Sequence, residues 1–224
     1  MPLDQLPEPV AEAPGAEDPR AGSGAPAGGA GAPPPLPSRA PGAAPAPLQR
    51  PHFRDGRVLL VDYDPKWPYL YQREADRIRD ALGGAALAVE HVGSTSVPGL
   101  AAKPCVDVLL AVADPADEDA YVPQLEAAGY VLRHREPDFH EHRLLNGPDV
   151  NVNLHVFAAG CPEIERMLLF RDRLRADGAD RDLYLRTKRA LAERTWREVQ
   201  DYADAKSEVV EEILARARAA AKPA

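Results

Sequence analysis

Val89-Glu90-His91-Val92-Gly93-Ser94-Thr95-Ser96-Val97-Pro98-Gly99-Leu100-Ala101-Ala102-Lys103-Pro104-Cys105-Val106-Asp107-Val108 reads as strand, small-residue turn, stiffened loop and second strand. Leu87 to Val92 is apolar and β-branched enough for a buried strand. Gly93 lets the backbone turn and lets a ligand approach it closely. Ser94, Thr95 and Ser96 add three hydroxyls. With the N–H groups that follow Gly93, they can donate into a phosphate-sized concavity. Pro98 and Pro104 stiffen the loop, and Lys103 adds a positive charge.

Cys105 to Ala113 then reads as a second buried strand with one intruder, Asp107. A lone ionised carboxylate among Val, Leu and Ala is costly unless it is paired, hydrogen-bonded or metal-bound. Two readings stand. Asp107 sits at the strand's open end and accepts from the backbone N–H groups of the Gly93–Ser96 turn. Alternatively, it holds Mg²⁺ while the turn holds phosphate.

Working outward, Asp64-Pro65 makes a helix start. Trp67, Leu70, Tyr71, Ala75, Ile78 and Leu82 follow at helical spacing as core residues, until Gly83-Gly84 ends the helix. Downstream of the central stretch, Asp114-Pro115 opens a helix expected to reach Ala128. Strands are expected at Tyr130 to Arg133, Phe139 to Leu145 and Val150 to Phe157. The last alternates: Asn151, Asn153 and His155 face one way, Val152, Leu154 and Val156 the other. Its polar face has to meet water or a site. Pro162 begins a helix burying Ile164, Met167, Leu168 and Leu174. Two more helices are expected, from Asp180 to Thr195 and from Trp196 to Ala219. Tyr184 and Lys188, like Tyr202 and Lys206, stand four apart and so share a helix face.

Composition narrows the function classes. Charged residues make up 28% and the net charge is −8, which argues against a broad nucleic-acid-coating surface and leaves room for a local basic pocket. The two cysteines, Cys105 and Cys161, lack zinc-site spacing and suit a reducing cytoplasm. No run reaches the ~18 apolar residues of a membrane span. The opening Met1-Pro2-Leu3-Asp4 has no signal-peptide character. Residues 1–52, rich in Pro, Ala and Gly, read as a disordered tail; 53–219 read as the folded domain and 220–224 as a disordered end.

The run from Glu90 to Val108 resembles the signature of the GrpB family. So do Asp64-Pro65-Lys66-Trp67-Pro68, Phe170-Arg171-Asp172 through Leu174-Arg175, and the Tyr184–Lys188 pair, whose spacing Tyr202 and Lys206 repeat. That family also occurs fused behind bacterial dephospho-CoA kinases and is related to the nucleotidyltransferase superfamily. The resemblance covers about residues 58 to 215. It implies an α+β fold: a nucleotidyltransferase-like mixed sheet flanked by helices, a helical C-terminal part, and helices on one side of the core. It implies phosphate binding by Gly93, Ser94, Thr95 and Ser96, one divalent ion on Asp107, and Lys103, Lys188 and Lys206 around the anion. The alternative for the two helical lysines is a solvated helix face.

The chain departs from the superfamily's metal platform. Leu109 stands where a second carboxylate would share Asp107's face, and the later strand offers His155 where a third is expected. Asp107 with a bound nucleotide such as ATP still suffices for one Mg²⁺, which takes one or two carboxylates plus phosphate oxygens. His155 and His91 are read either as hydrogen-bonded structural residues or as site groups that bind phosphate or move a proton. His140 and His142, two apart, read as a surface pair, because His-x-His alone is a weak metal signal. The function expected is binding of a nucleotide or phosphorylated small molecule, with nucleotidyl or phosphoryl transfer as its chemistry. The alternative is a non-catalytic module that supports dephospho-CoA kinase in coenzyme A synthesis. The sequence contains no P-loop of its own.

Overall fold

The computed structural model describes residues 53–221. The expected N-terminal tail and residues 222–224 lie outside the described residues. Strands β1 (Phe53–Arg54) and β2 (Arg57–Val58) form a small hairpin. Then come α1 (Trp67–Leu82), β3 (Ala88–Val92), β4 (Val106–Val112), α2 (Val122–Ala127), β5 (Val131–Glu136), β6 (His142–Asn146) and β7 (Val152–Ala158). Helices α3 (Pro162–Ala176), α4 (Gly178–Ala192), α5 (Val199–Asp204) and α6 (Ser207–Ala220) complete the described chain.

The main sheet has five strands in the order β3-β4-β7-β6-β5. Its pairs are antiparallel except β4–β7, which is parallel and central. A parallel pair needs a long crossover; here α2 and the β5–β6 hairpin supply it. The register sets Val92 opposite Asp107, and Asp107 beside Asn153 on β7.

Helices cover both faces, not one as expected. Val106, Val108 and Leu110 pack with Trp67, Ala75 and Ile78 of α1 and Leu125 of α2. Leu109 and Phe157, on the opposite face, pack with Met167, Phe170 and Leu174 of α3, Tyr184 of α4 and Ile213 and Leu214 of α6. The reason lies in β4 itself. Every position but Asp107 is buried, and a strand apolar on both sides demands cover on both.

Helix α1 starts at Trp67, after a turn in which the Asp64 carboxylate accepts from the Lys66 N–H at 2.9 Å. It ends at Gly83, whose φ of 53° takes the chain out of the helix. Two expected helices differ from observation. The stretch after Asp114-Pro115 makes a 3₁₀ turn at Glu118–Ala120 before the short α2. The single helix expected from Trp196 to Ala219 is two, α5 and α6, broken at Ala205 and Lys206. A reciprocal cap between Glu198 and Asp201 starts α5. At the break the Ser207 hydroxyl donates to the Asp204 carbonyl at 2.6 Å.

Candidate functional site

Gly93 and Asp107 meet where β3 hands over to the loop. Gly93 has φ 66° and ψ −175°, a conformation all but confined to glycine. A Cβ built there would lie 2.2 Å from the Asp107 Oδ2, so the carboxylate lies against the bare backbone. The hydroxyls divide their work. Ser96 Oγ donates to the Gly93 carbonyl at 2.6 Å, and Thr95 Oγ1 lies 3.1 Å from His91 Nε2. Ser94 Oγ accepts from Lys188 Nζ at 3.0 Å.

Helix α3 clamps this turn from behind. Arg175 donates twice to the Ser96 carbonyl, at 3.0 and 2.9 Å. Arg171 reaches Glu90 at 2.8 Å and the His91 carbonyl at 3.1 Å. Burial and these two guanidiniums press the His91 imidazole from the ordinary 6.5 down to about 3. His91 is thus a neutral, structural ring, stacked on Tyr71 at 4.6 Å.

A small pocket opens beside the turn, lined by Ser94, Thr95, Lys103, Asp107, Lys188 and Lys206, with Leu60, Ala102, Cys105 and Tyr202. Its enclosed volume is about 20 Å³, room for a water-sized group. Lys188 and Lys206 are 2% and 1% exposed, so neither belongs to a solvated helix face. Each ammonium lies over the tyrosine four residues before it, Lys188 at 4.8 Å from the Tyr184 centroid and Lys206 at 4.4 Å from that of Tyr202. The rings offer a negative face to a cation withdrawn from water. Lys188 also donates to the Ala101 carbonyl at 2.6 Å. The α5–α6 break is what brings Lys206 to the pocket. Three ammoniums against one carboxylate leave it a formal charge of +2 in a chain of net −8.

The structure therefore gathers Ser94, Thr95, Lys103, Asp107, Lys188 and Lys206 around one space. Gly93 backs Asp107, the Ser96 hydroxyl is turned into the loop, and His155 lies behind the carboxylate, 2% exposed. Asp107 Oδ1 accepts from Asn153 Nδ2 at 3.1 Å and faces His155 Nε2 at 3.6 Å. Asn153 in turn accepts from Asn146 at 3.2 Å, and Asn146 from Arg133 at 2.9 Å. His142 Nε2 lies 3.3 Å from His155 Nδ1, and its Nδ1 lies 2.7 Å from Glu136.

The expected surface pair is overturned at His142, which is 0% exposed. Phe139–Glu141 turns before β6 begins, with left-handed backbone at His140 and Glu141, so the two histidines part. Burial pulls His142 down to about 4, despite Glu136. Among the described residues no three His, Cys, Asp or Glu side chains gather as a metal cage. Asp107, with His155 beside it, is what could hold an ion in the pocket. A single carboxylate fits a cation that brings phosphate oxygens with it.

Fold and site define a class: a mixed-sheet α+β domain with a lysine-lined pocket at the end of its central parallel pair. The chain belongs to the GrpB family, whose model, described as GrpB protein, matches residues 57–216. It is 61% identical over 170 residues to a UPF0157 protein of Halalkalibacterium halodurans, covering 76% of this chain and 86% of that one. It is similar in fold to the crystal structure of conserved protein GrpB from Enterococcus faecalis (TM-score 0.63, 30% identity, 71% of this chain and 96% of that one). A dephospho-CoA kinase of Mycolicibacterium paratuberculosis is 34% identical over 171 residues; the match covers 65% of this chain and 42% of the kinase. Among the described residues no helix is long and apolar enough to cross a membrane.

Proposed function

We propose that the pocket binds a phosphoryl group of a nucleotide or other phosphorylated small molecule, together with one divalent ion, Mg²⁺ in the first instance, on Asp107. The observation that carries this reading is the burial of Lys188 and Lys206. Withdrawing two ammoniums from water is costly, and beyond their hydroxyl, carbonyl and ring contacts a phosphoryl group in the pocket they line would offset it further. Size sets the pose. About 20 Å³ admits phosphoryl oxygens, while the rest of the molecule lies outside. The pocket's positive charge disfavours a lone cation, so an ion on Asp107 would need a phosphate beside it.

Transfer of a nucleotidyl or phosphoryl group is the chemistry this arrangement supports. An acceptor oxygen bonds to phosphorus as the bond to the leaving oxygen breaks. Lys103, Lys188 and Lys206 stabilise charge on the phosphoryl oxygens, and the Ser94 hydroxyl orients them. A bound divalent ion would supply further charge neutralisation. Asp107 would hold that ion, with His155 beside the carboxylate.

Calorimetric titration with ATP, inorganic pyrophosphate and coenzyme A precursors, with and without Mg²⁺, tests the reading. Binding that is weakened in Lys188→Met and loses its Mg²⁺ dependence in Asp107→Asn is expected. Absence of binding to all three by the wild-type protein would refute it. The likeness to part of a dephospho-CoA kinase favours a second reading, an accessory module for that enzyme; the cytoplasm is the compartment we propose for either. Co-purification with such a kinase, undiminished in Asp107→Asn, would favour it over the first.

A further inference from the structure

His155 Nε2 is buried and has no hydrogen-bond partner, although it points at a carboxylate. The chain of contacts behind it explains why. Glu136, as a carboxylate, can only accept, so His142 Nδ1 carries the hydrogen of their 2.7 Å contact. With the His142 hydrogen placed at Nδ1 by Glu136, its Nε2 faces His155 Nδ1 at 3.3 Å as the acceptor, and His155 Nδ1 donates to it. That leaves His155 Nε2 without a hydrogen. Its lone pair faces Asp107 Oδ1 at 3.6 Å, beyond hydrogen-bond range. Two acceptors aimed at each other in a buried place repel unless something positive sits between them.

We infer that His155 Nε2 and Asp107 Oδ1 are two ligands of one divalent transition ion, of the Mn²⁺ or Zn²⁺ kind, with His142 and Glu136 as positioning residues that hold His155 in the ligating tautomer. The inference rests on the pocket reading above and adds nitrogen to the donor set. The separation suits it. With ligand distances of about 2.1 Å, a span of 3.6 Å subtends about 120° at the ion. Imidazole suits borderline metals, whereas Mg²⁺ prefers oxygen, so the nitrogen lets Mn²⁺ or Zn²⁺ outcompete Mg²⁺ at the position the pocket reading gives it. Asn153 Nδ2 occupies one lone pair of Oδ1 and leaves the other for the ion. The remaining positions fall to water and to phosphate oxygens, which would reach the ion from the Asp107 side, since His155 does not line the pocket. The carboxylate–His142–His155 sequence matches the way protein ligands to metals are oriented from behind.

The test uses the described chain in full length, with Mn²⁺ and inorganic pyrophosphate as probes. Mn²⁺ affinity is read by electron paramagnetic resonance titration, and ¹⁴N coupling by electron spin echo modulation. The wild-type protein should show ¹⁴N modulation. His155→Asn and His155→Gln should abolish it and weaken Mn²⁺ binding at least tenfold. His142→Phe, which keeps the ring stack, should weaken Mn²⁺ about 10- to 100-fold by releasing the tautomer. Mn²⁺ bound without ¹⁴N modulation in the wild type overturns the inference and leaves the pocket reading standing, as does an affinity unchanged in both His155 variants. Failure of pyrophosphate to bind at all, with or without metal, removes the pocket reading instead.

Discussion

Gly93→Ala is the sharpest test of the site's geometry. Two costs are separable. The first is backbone: φ 66° with ψ −175° strains any residue with a Cβ, by about 1–3 kcal/mol. The second is contact. The new methyl would stand 2.2 Å from Asp107 Oδ2 and 2.9 Å from its Cγ. Ordinary contact begins at about 3.5 Å, so the carboxylate must retreat by roughly an ångström or the turn must open. Overpacking of this kind costs about 1–3 kcal/mol more. The whole change should be about 2–6 kcal/mol in urea unfolding. In an Asp107→Ala background the carboxylate is gone, and of the three nearest atoms the Asp107 Cβ, at 3.0 Å, stays. There the substitution should cost mainly the backbone strain, roughly 1–3 kcal/mol, with a small remainder from that Cβ contact. The double-mutant cycle thus reads the contact as a coupling of about 1–3 kcal/mol. Equal costs in both backgrounds would refute the claim that Gly93 exists to seat Asp107.

Lys188→Met keeps the stem's volume and deletes the ammonium. Stability should move by under about 1 kcal/mol, since lost hydrogen bonds and relieved desolvation oppose each other, while pyrophosphate binding by calorimetry weakens at least tenfold; unchanged binding would remove Lys188 from the site. His91 sets an acid limit. Its pKa is about 3 folded and about 6.5 unfolded, so below 6.5 the unfolded chain takes up a proton that the folded one refuses. Stability should therefore fall by about 1.4 kcal/mol per pH unit from that group as pH drops from 6.5 toward 3. Urea midpoints compared with His91→Gln should show the slope reduced, and an identical slope in the variant would contradict the assignment. Tyr130→Phe removes a 2.8 Å bond to the wholly buried Glu74 and should cost about 1.5–3 kcal/mol, as read by denaturant midpoint.

Where the sequence was legible, the contacts are local or periodic. The strand-turn-strand stretch is one antiparallel pair, so the Val92–Asp107 register follows from short chain connectivity. The four-residue spacing of Tyr184 and Lys188 within α4 placed that ring under its ammonium, whereas Tyr202 and Lys206 make the same contact across the α5–α6 break and share no helix face. What escaped depends on tertiary packing. The α5–α6 break carries neither Gly nor Pro; burial of Tyr202 and Lys206 and the Ser207 hydroxyl set it. His142 was read as half of a surface pair because His-x-His alone is a weak metal signal. Left-handed backbone at His140 and Glu141, announced by no glycine, shifts the phase. The roles of Arg171 and Arg175 as clamps were hidden too, since their acceptors lie 80 and 79 residues away. Asn153 could have been found: its alternation put it on the polar face, and only the parallel register with Asp107 was missing.

The central parallel pair has a further consequence, for the order of folding. Asp107 and Asn153 stand 46 residues apart, and every other neighbour in the sheet is joined by an antiparallel ladder. Closing so long a loop is entropically slow, and pairings of this kind form late. The β3–β4 and β5–β6–β7 hairpins can each assemble from nearby chain, but the carboxylate gains its amide and imidazole neighbours only when the two halves dock. Recovery of ligand affinity during refolding should therefore lag behind recovery of secondary structure, with the pocket among the last features of the molecule to come into being.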